Sequence, residues 1–360
     1  METIMRLRVL VVDDSTLMRR LIRDILASDP ALEVVAEAPD GMTAIRLIHS
    51  LRPDVITLDV EMPGMSGLEV LGYIMSEIPT PVVILSGIGD PDLAMKALAL
   101  GAMDVLRKPS GTVSVDLYKV GEELIQKVKA APLSNLRQLR RGVVEPEPTK
   151  PPARREPHPI APPSVEVPGW AVVVGASTGG PQALTQLLAG IPAGLPAGCL
   201  VVQHMPAGFT RSLAKRLDEQ SALTVVEAEE GAPFHAGWAY IAPGGYHLVV
   251  QAGPSVGEAW LRLDTSPPKG TLRPAADVTM AAAAAAFGQR TLGVLLTGMG
   301  NDGTEGFQAI RHAGGRTIAQ DRESSLIYGM PRVVAELGLA DQVLPLDEIA
   351  QAIARIVSED

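Results

Sequence analysis

Two groups of residues in this sequence carry the means for chemistry. In the first, Ser177 sits in Gly175-Ala-Ser-Thr-Gly179 directly after the apolar run Trp170–Val174, and His204 follows Leu200–Gln203. Asp302 lies in a glycine-rich stretch, Thr297–Thr304, that follows Leu292–Leu296. A serine hydroxyl is a weak nucleophile until a base takes its proton, and histidine is the usual base. A carboxylate behind the ring fixes its tautomer and stabilises the imidazolium. Backbone N–H groups of the glycine-rich stretch could receive an oxyanion. The pattern G-x-S-x-G fits a nucleophile turn. Pro181 then suits the first turn of a helix, whose free N–H groups favour an anion.

The second group lies nearer the N-terminus. Asp13 and Asp14 follow Leu7–Val12, Asp59 ends the run Val55–Leu58, Ser86 follows Pro81–Leu85, and Lys108 follows Met103–Leu106. Crowded carboxylates repel one another and invite a hard divalent cation, Mg²⁺ above all. A lysine in the same crevice supplies a counter-charge for a phosphate.

Each residue also has an ordinary reading. The Ser177 turn could merely cradle a phosphate, His204 could be a surface histidine, and Asp302 or the strand-end aspartates could cap helices. His235, His247 and His312 compete with His204, but none of them ends an apolar strand. Three reactive residues behind three separate strands favour a serine hydrolase.

The rest of the chain supplies the elements that must hold these groups in place. Apolar, β-branched runs alternate with stretches of helical period, which marks α/β architecture with mostly parallel sheets. Residues 5–130 contain five such units, the content of a doubly wound, flavodoxin-like domain that binds ligands beyond its strand carboxyl ends. Residues 169–358 form a second α/β unit, in which Gly231–Asp264 breaks the alternation and reads as hairpins or an irregular excursion. Between the two, residues 132–168 hold ten of the thirty prolines and read as an extended, semi-rigid linker.

Composition narrows the function further. The formal net charge is −10 without a basic cluster, which argues against nucleic-acid binding. The apolar run Met280–Phe287 is far short of the roughly 20 residues a membrane span needs, so no direct membrane insertion is expected. Arg6 and Arg8 interrupt any signal-peptide core, and Cys199 is the sole cysteine, so a cytoplasmic location is expected. Cys199 itself reads as inert core.

Residues 5–130 resemble a response-regulator receiver domain in Val11-Val-Asp13-Asp14-Ser15, Asp59-Val-Glu-Met-Pro63-Gly-Met-Ser-Gly67 and Lys108-Pro109. The resemblance implies that Asp59 accepts a phosphoryl group from a histidine kinase. It also implies that Asp13, Asp14 and Asp59, with the main-chain carbonyl of Glu61, hold Mg²⁺. Ser86 matches the switch hydroxyl of such domains and Lys108 their lysine. Val105 departs from the pattern, because many receivers carry an aromatic switch residue there.

The second unit is similar to the chemotaxis protein-glutamate methylesterase family. The matching motifs are Gly175-Ala-Ser177-Thr-Gly-Gly-Pro181, Val201-Val-Gln-His204-Met-Pro206 and Leu296-Thr-Gly-Met-Gly-Asn-Asp302-Gly303. Their order, Ser then His then Asp, differs from the Ser, acid, His order of the α/β-hydrolases. By this resemblance Ser177 attacks the methyl ester of a receptor glutamate, while His204 acts as general base and then acid, oriented by Asp302. Methanol leaves and water releases glutamate from the acyl-enzyme. Deamidation of receptor glutamines would use the same acyl chemistry. Thr178 and the Met299 N–H are the candidate oxyanion donors, and the esterase site needs no cofactor. The implied partners are a chemotaxis histidine kinase and methyl-accepting chemoreceptors. The chain is expected to act as a monomer, with the receiver limiting substrate access until Asp59 is phosphorylated.

Two rival readings stand beside this one. A dinucleotide-binding oxidoreductase would use the Gly175–Gly180 turn, but it wants an acidic residue where Gln203-His204 ends the second strand. A non-catalytic, phosphorylation-controlled interaction module would need a decayed site, whereas Ser177, His204 and Asp302 are all present.

Overall fold

Runs of Val, Leu and Ile without a polar face form strands that are buried on both sides, as parallel sheets require. The computed structural model describes residues 6–87, 91–108, 115–135, 138, 168–253 and 258–358. The chain divides into two compact units, Met1–Glu145 and Pro146–Asp360. Most of the expected 132–168 linker, and Pro109, lie outside the described residues.

The first unit alternates strands β1 (Leu7–Val12), β2 (Leu32–Ala38), β3 (Val55–Asp59), β4 (Val82–Ser86) and β5 (Asp104–Arg107) with five helices. These are α1 (Thr16–Ala27), α2 (Gly41–Leu51), α3 (Gly67–Glu77), α4 (Pro91–Ala99) and α5 (Val115–Ala130). The sheet order is β2-β1-β3-β4-β5, with every pairing parallel. This is the flavodoxin-like winding, and its order reverses between β1 and β3. Local chemistry fixes the helix starts. Ser15 caps α1, and Ser66 with Glu69 forms a reciprocal capping box on α3. The loop between β3 and α3 therefore leaves Asp59 at a defined point on the sheet rim.

The second unit is a seven-stranded parallel sheet with a hairpin set on it. Its elements begin with β6 (Trp170–Ala176), α6 (Gly180–Gly190), β7 (Ala197–Gln203), α7 (Phe209–Asp218), β8 (Thr224–Glu227) and β9 (Trp238–Ile241). The hairpin β10 (His247–Ala252) and β11 (Ala259–Asp264) follows, then α8 (Ala276–Phe287), β12 (Thr291–Leu295) and α9 (Thr304–His312). The chain closes with β13 (Arg316–Gln320), α10 (Met330–Glu336), β14 (Gln342–Leu344) and α11 (Leu346–Ser358). The sheet order is β14-β13-β12-β6-β7-β9-β8. One core joins the sheet to α8 and the hairpin through Val173, Leu200, Leu248, Leu261, Met280 and Phe307.

The Gly231–Asp264 region thus divides. Trp238–Ile241 inserts into the main sheet parallel to both neighbours, and only the following strands form a hairpin. The elements β14, three residues, and α10, seven residues, are too short to show a strand or helical period in the sequence. Cys199 is fully buried, and burial pushes its thiol up to about 12, so it is inert core as expected. Among the described residues no helix is long and apolar enough to cross a membrane.

Candidate active site

Strands β12, β6 and β7 are neighbours, and Ser177, His204 and Asp302 follow their three carboxyl ends. The winding reverses between β6 and β12, the place where open α/β sheets bind their ligands. Residues 125 positions apart in the chain thereby share one rim.

The Ser177 turn is held on every side by hydrogen bonds. Its N–H donates to the Thr297 carbonyl at 3.0 Å, and its carbonyl accepts the Gly180 N–H at 2.7 Å. The turn's left-handed residue is Gly179, with φ +78°, while Arg52 is the one described non-glycine residue with positive φ. Ser177 therefore sits on ordinary backbone, and the sharp bend falls on a residue without a Cβ. The serine is buried, with 8% of its surface exposed.

The His204 N–H donates to the Ala176 carbonyl at 3.0 Å, which sets this histidine beside the Ser177 turn. Its Nε2 lies 2.7 Å from Asp302 Oδ2. Asp302 also accepts main-chain N–H groups: Ala276 at 2.6 Å, Asp277 at 3.1 Å and Gly303 at 3.0 Å. Two of these belong to the first turn of α8, whose own N-cap residue, Ala275, offers no side-chain cap. Asp302 is thus both the partner of His204 and the cap of a helix from another part of the chain. Burial alone would raise its carboxyl. The hydrogen bond and charge of His204, with the N–H groups of α8, outweigh that and hold it down at about 2. Asp302 is an ionised acceptor throughout the neutral range.

Other residues that hold the site were not singled out in the sequence. Gln203 is buried, and its Nε2 donates to the carbonyls of both Ser177 and His204 at 3.0 and 3.1 Å. A Cβ on Gly180 would lie 1.9 Å from Gln203 Oε1, so glycine is needed there for the amide to fit. The Thr297 hydroxyl donates to the Thr178 carbonyl at 3.0 Å and accepts the Ile327 N–H at 2.9 Å. The signal for Gln203 was available: a polar residue ends an otherwise apolar, fully buried strand. Of the competing histidines, His247 is buried and accepts the Ala275 N–H, which supports the approach to α8. Thr178 is buried beside Ser177. Met299 is half-buried, and its N–H makes no hydrogen bond among the described residues.

The receiver cluster is equally compact. Asp13, Asp14 and Asp59 each offer a carboxylate oxygen within 4.8 Å of the others. Lys108 Nζ lies 2.8 Å from Asp13 Oδ2 and 2.6 Å from Asp59 Oδ2. Burial pushes the Asp59 carboxyl up, against the pull of Lys108 and of the Glu61 N–H, which donates to Asp59 Oδ1 at 3.1 Å. Three oxygen donors of this kind suit a hard divalent cation. The Glu61 carboxylate lies outside this cluster. Ser86 is buried at the end of β4, and its carbonyl accepts the Lys108 N–H at 2.8 Å. Val105 is buried, so its position offers no aromatic side chain to swing.

The sequence profile described as CheB methylesterase matches residues 172–353, and that of the response regulator receiver domain matches residues 9–117. A protein-glutamate methylesterase/protein-glutamine glutaminase of Symbiobacterium thermophilum is 47% identical over 98% of both chains. One of that description from Pyrococcus abyssi is 44% identical over 98% of this chain and 94% of its own. The chain belongs to the CheB methylesterase family. The crystal structure of the Thermotoga maritima CheB methylesterase catalytic domain superposes with a TM-score of 0.51 at 45% identity, covering 52% of this chain and 98% of that one. The methylesterase unit and the receiver thus stand in one chain, as the motifs implied. The dinucleotide reading falls with them.

Proposed function

We propose that this chain is a phosphorylation-activated serine esterase. It hydrolyses glutamate methyl esters on chemoreceptors to glutamate and methanol, and deamidates receptor glutamines. The observation that carries the reading is the 2.7 Å pair of His204 Nε2 and Asp302 Oδ2, set one strand away from Ser177. Because ionised Asp302 accepts, Nε2 holds the proton and Nδ1 keeps the lone pair that takes the Ser177 proton. Ser177 Oγ adds to the ester carbonyl, and the Met299 N–H and Thr178 receive the charge that develops on its oxygen. The imidazolium then protonates the departing methoxide. Water, deprotonated by the same ring, releases the glutamate.

Control is assigned to Asp59, which accepts a phosphoryl group from a histidine kinase. Asp13, Asp14 and Asp59, with the Glu61 carbonyl, would hold Mg²⁺, which when bound polarises phosphoryl oxygens. Lys108 faces the same group with a positive charge. Ser86 supplies a hydroxyl at the end of β4. We assign the chain to the cytoplasm as a monomer, where kinase and receptor signalling domains meet it. The test is methanol release from methylated receptor membranes. The full chain releases it, Ser177→Ala does not, and Asp59→Asn loses stimulation by phosphodonor. Equal release by the Ser177→Ala chain overturns the reading.

A further inference from the structure

The helices α8 and α9 begin side by side, and neither is capped by its own N-cap residue, Ala275 or Gly303. They cap each other. Asp302, just before α9, accepts the N–H groups of Ala276 and Asp277 in the first turn of α8. Asp277, in that first turn, sends its Oδ1 back to accept the Gly306 N–H of α9 at 2.7 Å. Gly306 allows this approach, since a Cβ there would lie 2.6 Å from Met280 Cβ. The second oxygen of Asp277 is held by Lys269 Nζ at 2.7 Å, and the same ammonium reaches Glu305 of α9 at 2.6 Å. Asp277 is buried, whereas Lys269 reaches it from a half-exposed position. Two buried carboxylates are thus each fixed by the other's helix, and of the two Asp302 is the one that touches His204.

We propose that Asp277, anchored by Lys269, is a positioning residue that fixes the Asp302 carboxylate against the His204 ring. The inference rests on the reading of Ser177, His204 and Asp302 as the reacting set. Without the Asp277–Gly306 bond, α9 loses one of its cross-helix caps on α8, and Asp302 sits just before its start. The carboxylate would keep its helix-cap contacts only by turning away from the ring. Displacement of a catalytic group by about 1 Å costs on the order of a hundredfold in rate. Lys269 matters because a buried carboxylate without a counter-charge takes up a proton, and a protonated Asp277 holds the Gly306 N–H less strongly.

The test compares Asp277→Ala, Asp277→Asn, Lys269→Met and Lys269→Arg in the full chain, with Ser177→Ala and Asp302→Asn as references. Asp277→Ala is expected to lower kcat for methanol release by roughly tenfold to a hundredfold with KM little changed. Asp277→Asn, which still accepts from Gly306, keeps more activity, and Lys269→Arg recovers what Lys269→Met loses. A second reading does not use turnover. The deshielded proton shared by His204 and Asp302 in the proton NMR spectrum should move or broaden in Asp277→Ala and persist in Ser177→Ala. If the alanine variant does not fold, Lys269→Met decides on the same two readings. Folded Asp277→Ala and Lys269→Met chains with unchanged kcat and an unchanged resonance overturn the proposal. Activity surviving in Ser177→Ala overturns the underlying site instead, so the two failures are distinguishable.

Discussion

The side-chain amide of Gln203 is joined to the Ser177 carbonyl at 3.0 Å, so the strand that ends before His204 also holds the turn that carries Ser177. The same nitrogen donates to the His204 carbonyl at 3.1 Å. Replacing Gln203 by Leu keeps the volume and removes both bonds. A hydrogen bond of this kind contributes about 0.5–1.5 kcal/mol. The expected result is a lower unfolding midpoint and a kcat reduced by more than KM is raised. Unaltered kcat in a folded Gln203→Leu chain would sink this account of the linkage.

Gly180 tests the same joint from the other side. The Cβ of Ala at this position would lie 1.9 Å from Gln203 Oε1 and 2.9 Å from Ala176 Cβ. Overpacking of this kind costs about 1–3 kcal/mol. Gly180→Ala should destabilise the unit and slow the esterase, and the double variant Gly180→Ala/Gln203→Ala should regain stability relative to the sum of the single changes. Strict additivity in thermal melts would count against contact between the two.

Asp302 links stability to acidity. Its folded-state pKa of about 2 lies below the ordinary 3.8, so its contribution is complete above that ordinary value and disappears as pH falls through about 2. The shift corresponds to about 2–3 kcal/mol. Asp302→Asn should therefore be less stable than the parent chain at pH 6, with the gap closing between about pH 4 and pH 2. Trp170, Trp238 and Trp260 are the chain's three tryptophans and all lie in the second unit, so their fluorescence in denaturant follows that unit alone. A gap that stays constant with pH would assign the loss to packing instead.

In the receiver, Lys108 Nζ lies against the same two carboxylates that would hold a cation. Two positive charges then compete for one cluster. Lys108→Met is expected to bind Mg²⁺ more tightly by calorimetry yet lose stimulation by phosphodonor, while Asp13→Asn binds it more weakly. Weaker Mg²⁺ binding in Lys108→Met would contradict the competition.

Much of this was legible in the sequence because parallel strands announce themselves. Continuous apolar runs gave the core strands of both units, and the reactive residues stood at their ends. Asp302 could be placed after β12 from Leu292–Leu296 alone. Its second role as the cap of α8 could not, because Ala276 and Asp277 are 25 or more residues away in the chain. Gln203 was visible as a polar strand end, but its two acceptors are main-chain carbonyls that carry no side-chain signature. The path of Gly231–Asp264 was also hidden. Trp238–Ile241 pairs in parallel with β7 and β8, and turn residues on both sides read more naturally as a hairpin.

The sheet order β14-β13-β12-β6-β7-β9-β8 has a consequence for the chain as it is made. Ser177 and His204 leave the ribosome well before Asp302, yet the strand between β6 and β13 comes from residues 291–295. Until that strand has emerged and inserted, the strand that leads to Ser177 lacks its neighbour on one side. A chain cut short before Asp302 is no slow esterase but an unfinished sheet with its edges open. A fragment that ends before it reaches residues 291–295 therefore lacks both that strand and the carboxylate that pairs with His204, so the site is completed late in synthesis.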